Sequence, residues 1–293
     1  MTTTQRGTPL PFVDKPTTFG PPDPSAQWHE YPNGLVDLSR PANGLAESSD
    51  GLVLEPGTFE IECEGGRKIR IAGRKAALVV IDMQNFFLSP KIRDHPLGLK
   101  AVDPLLAIVP KLRELGVTIL WVNWGLTTET VPTLPAAVQR TFQRTQAVPG
   151  GDGPDAGFGA YLGPEHGKLL FRGEPNSDLY GPLQAEYEKG KEAGTDVWLH
   201  KDRMSGIWGR GTPLEEYLTQ HDIKTLFWSG VNADQCVLGS VVDAYSLGYD
   251  IVAVEDTIAT NSPIGAKENL MYNSIRSYGF VTDAERIVKA ISA

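Results

Sequence analysis

Two patterns of apolar positions divide this chain. Phe59-Glu-Ile-Glu-Cys-Glu64 and Arg67-Lys-Ile-Arg-Ile71 alternate with period two around Gly65-Gly66, the signature of a β-hairpin. A two-residue Gly-Gly turn sets Glu62 opposite Ile69 and mixes the faces. A three-residue loop, Glu64-Gly65-Gly66, pairs Ile61 with Ile69, Phe59 with Ile71, Glu62 with Lys68 and Glu60 with Arg70, so faces and charges agree. That register is the expected one, with Cys63 on the apolar face.

From Lys75 onward the pattern changes. Ala76-Ala-Leu-Val-Val-Ile81 is a continuous apolar run, as expected of a strand covered on both faces. Residues 104–115 read as a helix ended by Gly116, and 117–122 as the next strand. A long Gly- and Pro-rich interval follows over 126–195, with helical pieces at 135–144 and 183–192. An interval of that length suits a pocket wall or lid. A strand at 197–199, a helix at 213–220 and a strand from Thr225 to Trp228 come next. Asn232 is placed to cap the following helix, with Gln235 as reciprocal partner. Val237, Val241, Val242 and Tyr245 keep helical spacing until Gly248. A strand at 250–254, a helix at 266–277 and a short strand at 279–281 complete the series. Strand–helix alternation of this kind implies one doubly wound, mainly parallel sheet, an α/β fold.

Residues 1 to about 50 carry no sustained period and are rich in Pro, Gly, Ser and Asp. Trp28, Tyr31, Leu35 and Leu38 are apolar for a solvated tail. An arm draped over its own domain or a neighbouring subunit and a disordered tail are both open readings. The expected division is residues 1–72 as arm and hairpin and 73–293 as the main domain.

Composition narrows the function classes. With 293 residues, 41% of them hydrophobic, the chain can bury a substantial core. A net charge of −9 argues against nucleic acid or an acidic membrane surface as partner and leaves a small molecule. No stretch is long and apolar enough to span a bilayer, and the N-terminus shows no signal-like apolar region. The two cysteines, Cys63 and Cys236, build neither a disulfide framework nor a four-cysteine zinc site, which makes a cytoplasmic location the default.

Candidate chemistry lies where the strands end, since an open parallel sheet binds ligands outside their carboxyl ends. Asp82, Asn123, Lys201, the Gly230–Cys236 turn and Glu255-Asp256 occupy those places. Cys236 falls in the first turn of a helix, where the dipole favours a thiolate. On position alone the commoner reading of an isolated cysteine is a small core hydrophobe. Asp82 ends a buried strand, where desolvation raises a carboxylate toward proton transfer at neutral pH. Lys201 supplies a cation to hold carboxylate and thiolate charged. Separately, Asp82 is an ordinary turn acid and Lys201 an ordinary surface charge; their meeting at one sheet edge is what points to catalysis. Searches for Gly-x-Ser-x-Gly, His-Glu-x-x-His and the phosphate-binding Gly-x-x-x-x-Gly-Lys-Ser/Thr find nothing.

Val79-Val-Ile-Asp82-Met-Gln84-Asn85, Lys201-Asp-Arg-Met-Ser205-Gly-Ile-Trp208 and Gly230-Val-Asn-Ala-Asp-Gln-Cys236-Val resemble the three signature segments of the isochorismatase-like cysteine hydrolases, in order, across about residues 75–285. The resemblance implies a three-layer α/β/α sandwich around a six-stranded parallel sheet. It implies Asp82, Lys201 and Cys236 as a triad. It further implies a cis peptide at Val231-Asn232 that helps form an oxyanion hole with the Cys236 N–H. The family's nicotinamidases carry an Asp-x-His-x-x-x-His metal site after the second strand. Here that place reads Asn123-Trp-Gly-Leu126, with no histidine, so neither a metal nor another cofactor is expected. Isochorismatases that cleave a vinyl ether generally lack the cysteine, so its presence favours amide-type chemistry on a C–N bond, through a thioester. Vinyl ether cleavage with Asp82 as general acid is the alternative, and a non-catalytic binding or assembly scaffold a third reading. Gln84, Phe87, Trp124, Ser205, Trp208 and Asn232 flank the motifs as pocket candidates, although tryptophans are as often core. Homo-oligomers are common in the family and are expected here.

Overall fold

The computed structural model describes residues 8–41, 44–49, 53–145 and 157–292. The first strands are β1 (Thr17–Phe19), β2 (Trp28–Glu30), β3 (Leu35–Asp37), β4 (Thr58–Cys63) and β5 (Arg67–Ala72). In the β4–β5 hairpin Ile61 faces Ile69, Phe59 faces Ile71, Glu62 faces Lys68 and Glu60 faces Arg70. That is the register in which faces and charges agree, and Arg70 Nη2 lies 2.7 Å from Glu60 Oε1. Cross-strand pairs of this kind contribute roughly 0.2–1 kcal/mol each. Cys63 is buried on the apolar face.

The main sheet follows. Its strands are β6 (Ala76–Ile81), β7 (Thr118–Trp124), β8 (Asp196–Lys201), β9 (Thr225–Val231), β10 (Asp250–Ala259) and β11 (Gly279–Thr282). They lie in the order β11-β10-β9-β6-β7-β8, and every pairing is parallel. The helices are α1 (Asn85–Leu88), α2 (Pro96–Lys100), α3 (Val102–Glu114), α4 (Ala136–Thr145), α5 (Pro182–Ala193), α6 (Pro213–Gln220), α7 (Leu238–Leu247), α8 (Ala266–Asn273) and α9 (Ala284–Val288). This is the α/β fold with a parallel sheet that the alternation implies, and its six strands are the number that the family resemblance implies.

Burial on both faces explains the continuous apolar runs. In β6, Ala76, Leu78 and Val80 join the core beneath α3, while Ala77, Val79 and Ile81 join the core beneath α6 and α7. Helix α3 supplies Leu105, Ile108, Val109 and Leu112 at helical spacing. Truncating one such leucine costs about 2–5 kcal/mol.

The N-terminal residues contain more structure than an arm. Strands β1–β3 join β5 and β4 in a second six-stranded sheet, whose far edge is β12 (Ile291–Ser292) from the chain's other end. Strands of three residues are too short to show a period, which is why the sequence reads as irregular there. The described part drapes over its own chain. Trp28 Nε1 donates to Asp250 Oδ1 at 2.7 Å, and Arg40 Nη2 donates to the same oxygen at 2.7 Å.

The end of β9 has a strict steric demand. Gly230 has φ +115°, and a Cβ there would sit 2.0 Å from the Ile81 carbonyl oxygen on β6. A Gly230→Ala change should therefore destabilise the protein by about 3 kcal/mol or more. Urea unfolding measures this, and a loss below about 1 kcal/mol would show that the β6–β9 contact yields easily.

Candidate active site

The carboxyl ends of β6, β7, β8 and β9 converge. Asp82 follows β6 with φ +52°, a left-handed conformation that an aspartate tolerates better than most residues. Its N–H donates to the Val122 carbonyl at 3.1 Å, so the carboxylate is aimed from a paired backbone. Lys201 closes β8, and its Nζ lies 3.0 Å from Asp82 Oδ2, with both side chains wholly buried. The ammonium also donates to the carbonyls of Arg203 and Met204 at 3.0 Å each. The Trp124 ring lies beneath it, 4.1 Å from Nζ to the centroid.

Cys236 sits in the turn after β9, buried but open to a cavity of about 570 Å³. That volume is in the usual range of small-molecule sites. Asp82 and Lys201 are the charged groups that act on the thiol. Burial pushes the Cys236 pKa up to about 12; Lys201 opposes the shift and Asp82 adds to it. Burial also raises the Asp82 pKa, against the pull of Lys201 and of hydrogen bonds from Lys201, Cys236 and the Trp124 N–H. The direction is opposite to the lowering expected from the helix dipole and Lys201, because desolvation by burial is the largest influence on the thiol.

The turn differs from the sequence expectation in a second way. Ala233–Val237 is a π-helical turn, with Val237 N donating to the Asn232 carbonyl at 3.2 Å. Asn232 makes no side-chain cap, because its Oδ1 is held 2.7 Å from His95 Nε2. Gly98 N–H donates to His95 Nδ1 at 2.8 Å, so Nε2 carries the proton and donates to Asn232. The Val231-Asn232 peptide is cis.

Of the flanking pocket candidates, Phe87, Trp124 and Asn232 line the cavity. Gln84, Ser205 and Trp208 lie outside its lining. Gln84 is a buried strut: its Nε2 donates to the carbonyls of Trp124 and Ser177 at 2.8 Å, and its Oε1 accepts from Trp124 N at 3.1 Å. Ser205 Oγ accepts from Ile207 N at 3.1 Å. Trp208 lies under the Arg203 guanidinium, 5.9 Å from it.

Sequence reasoning missed Arg93, Phe142, Gln235 and Asn261 on the lining. It also missed Ser240, whose Oγ donates to the Cys236 carbonyl at 2.6 Å and accepts from Gly206 N at 2.7 Å. Ser240 therefore ties the nucleophile's turn to the loop after Lys201. Its spacing of four from Cys236 on a helix is a signal available in the sequence. Helix α4 walls the cavity through Ala137, Val138 and Phe142, a part of the 126–195 interval that acts as a pocket wall; residues 146–156 of that interval lie outside the described residues. Among the described residues no group of three or more His, Cys, Asp or Glu side chains is placed to hold a metal ion, and no helix is long and apolar enough to cross a membrane.

Residues 76–286 match the Isochorismatase domain family. The chain is similar to the ureidoacrylate amidohydrolase RutB of Cronobacter turicensis, with 26% identity over 238 residues, covering 76% of this chain and 91% of that one. RutB of Serratia proteamaculans is 26% identical over 232 residues, covering 77% and 86%. Among solved structures, a cysteine hydrolase from Pseudomonas syringae pv. phaseolicola superposes with a TM-score of 0.57 at 17% identity, covering 75% of this chain and 93% of that one. Nicotinamidase PncA from Bacillus subtilis superposes with a TM-score of 0.54 at 24% identity, covering 71% and 99%. At those identities the superpositions speak to the fold.

The Asp82–Lys201 pair makes a pH-dependent prediction. Lys201→Met leaves a buried carboxylate without its cation and should cost about 3–5 kcal/mol at pH 8. Without the cation, the folded-state pKa of Asp82 rises further above its unfolded value of about 3.9. The folded protein then holds a proton that the unfolded chain has released, and that contribution is lost as pH rises. The variant should therefore lose less stability at pH 5 than at pH 8 in urea unfolding. An equal loss at both, or none, would contradict the pairing.

Proposed function

The chain belongs to the isochorismatase-domain family, and we propose that within it this protein is a metal-free hydrolase of carbon–nitrogen bonds other than peptide bonds. It acts on a small amide, ureide or lactam through Cys236. The relatives named as ureidoacrylate amidohydrolases support this reading. The observation that carries it is the placement of the three groups: Cys236 lines the cavity, whereas Asp82 and Lys201 stand outside its lining, paired and dry. A substrate in the cavity meets the thiol. That placement favours thiol attack over the vinyl ether reading, because a substrate's leaving atom comes to Asp82 only once its carbonyl carbon is bonded to Sγ beside it.

The chemistry follows from the charges. Asp82 takes the thiol proton as Cys236 Sγ attacks the carbonyl carbon. Proton transfer and attack are coupled, because a free thiolate is disfavoured in so buried a place. Lys201 keeps Asp82 ionised until the proton arrives, despite the burial that raises its pKa. The negative charge that develops on the carbonyl oxygen is received by backbone N–H groups at the Val231-Asn232 peptide and at Cys236. Asp82 then gives its proton to the leaving nitrogen as the C–N bond breaks. Water attacks the resulting thioester as Asp82 accepts its proton, and Asp82 passes that proton to Sγ as the C–S bond breaks, releasing the acid and restoring the thiol. His95 holds the Asn232 side chain through its Nε2–H, and Ser240 holds the Cys236 carbonyl, so the turn keeps its shape as the charge shifts.

Cys236→Ala should lower kcat/KM by at least about a thousandfold on any amide or ureide that the wild type hydrolyses. The wild-type profile should lose activity as pH falls through the raised pKa of Asp82, because the base must be ionised. Its acid limb therefore lies above the ordinary aspartate value of about 3.9. Steady-state assays from pH 3.5 to 9 test both points. Activity surviving in Cys236→Ala, or an acid limb below that value, would overturn the reading.

A further inference from the structure

The cavity beside Cys236 is charged in one sense only. Arg93 lines it, and no Asp or Glu is among its lining residues. The guanidinium lies on Phe86, with Cζ 4.5 Å from the ring centroid, and 6.0 Å from the centroid of Phe87. Both rings belong to the core, so the cation is fixed against a rigid wall. Four other buried or half-buried arginines meet acids: Arg40 meets Asp250, Arg67 meets Glu30, Arg70 meets Glu60 and Arg113 meets Asp196. Among the described residues Arg93 has no carboxylate partner. Burial alone lowers its pKa, with no nearby acid to offset it. A guanidinium withdrawn from water and left without a counter-charge is costly to maintain, and it is best met by an anion brought by a ligand.

We propose that Arg93 is the specificity residue of this site, receiving the carboxylate of a monoanionic substrate whose amide or ureide end meets Cys236. This deepens the reading of the site as a C–N hydrolase and rests on it. A single fixed cation with no second one on the lining suits one negative charge; a dianionic phosphate group would leave half its charge unmet. The flat guanidinium presents paired N–H donors that match the two oxygens of a carboxylate. Between the two ends, Phe87, Trp124 and Phe142 offer apolar walls for a short carbon chain, and Asn232 and Gln235 offer amide groups to a polar head. The carboxylate supplies binding energy away from the reacting carbon, which positions the C–N group against the thiol.

The test compares 3-ureidopropionate with neutral N-propylurea, using Cys236→Ala protein so that nothing is turned over, with binding read by calorimetry. The anion should bind at least tenfold tighter than the neutral urea. Arg93→Gln in the same background should bring the two affinities within threefold of each other. Arg93→Lys, which keeps the charge and loses the fork, should give an intermediate ratio. It also serves should the Gln variant fail to fold, a failure that thermal unfolding detects. Equal binding of both ligands, binding of neither, or a preference that survives in Arg93→Gln would overturn the assignment. Hydrolysis by the wild type is a separate readout. An Arg93-dependent preference without hydrolysis of any amide, ureide or lactam in a panel would leave Arg93 as an anion anchor and remove the C–N hydrolase reading.

Discussion

A buried ion pair spans the end of a strand that separates its two members, and the site is built around that fact. Asp82 leaves β6 and Lys201 closes β8, with β7 between them in the sheet. The gap is bridged over Trp124, the last residue of β7, which donates its N–H to Asp82 Oδ1 at 3.2 Å and places its ring under the lysine. Two charges withdrawn from water are tolerable only when they meet each other and their remaining hydrogen-bonding capacity is filled. The carbonyls of Arg203 and Met204 fill that of Lys201, and Ser240 ties the loop they belong to onto the nucleophile's helix. The loop, the strand ends and the Cys236 turn are therefore one polar assembly inside an apolar fold.

The division of labour among the three groups follows from where water reaches. Cys236 alone meets the cavity, so it is the group that a substrate can touch. Burial raises the pKa of its thiol. Asp82, its pKa raised by the same burial and opposed by Lys201, is the base in the mechanism proposed above. Asp250 shows the structural use of a buried carboxylate. It accepts from Trp28, Arg40 and Thr225, fastening the N-terminal strands to the start of β10, far along the chain and away from the cavity.

Much of this was legible in the residues. The hairpin register follows from requiring like faces and opposite charges to pair, and that rule holds residue by residue from Phe59 to Ile71. Ala76–Ile81 reads as a strand covered on both sides because no polar residue interrupts it. Strand ends locate Asp82, Lys201 and Cys236 because an open parallel sheet puts its crevice there. The unread parts have physical causes. Strands of three residues show no period, so β1–β3, which extend the hairpin into a sheet, went unread. Asn232 looked like a cap because side-chain capping is a local rule, and His95, far away in sequence, competes for the same oxygen. The thiol's raised pKa comes chiefly from burial, which a helix-dipole argument does not include. Arg93 lies in a short loop with no motif around it, and only the folded chain shows that it faces the nucleophile's cavity.

The central claim is that Cys236 forms a covalent acyl intermediate. Intact-protein mass spectrometry after rapid acid quench, across a panel of small amides, ureides and lactams, tests it most directly. The account predicts a mass increase equal to the substrate's acyl part on wild-type protein, mapped to Cys236 and absent from Cys236→Ala. Turnover of a panel member with no adduct at any quench time, continuing in Cys236→Ala, would contradict it.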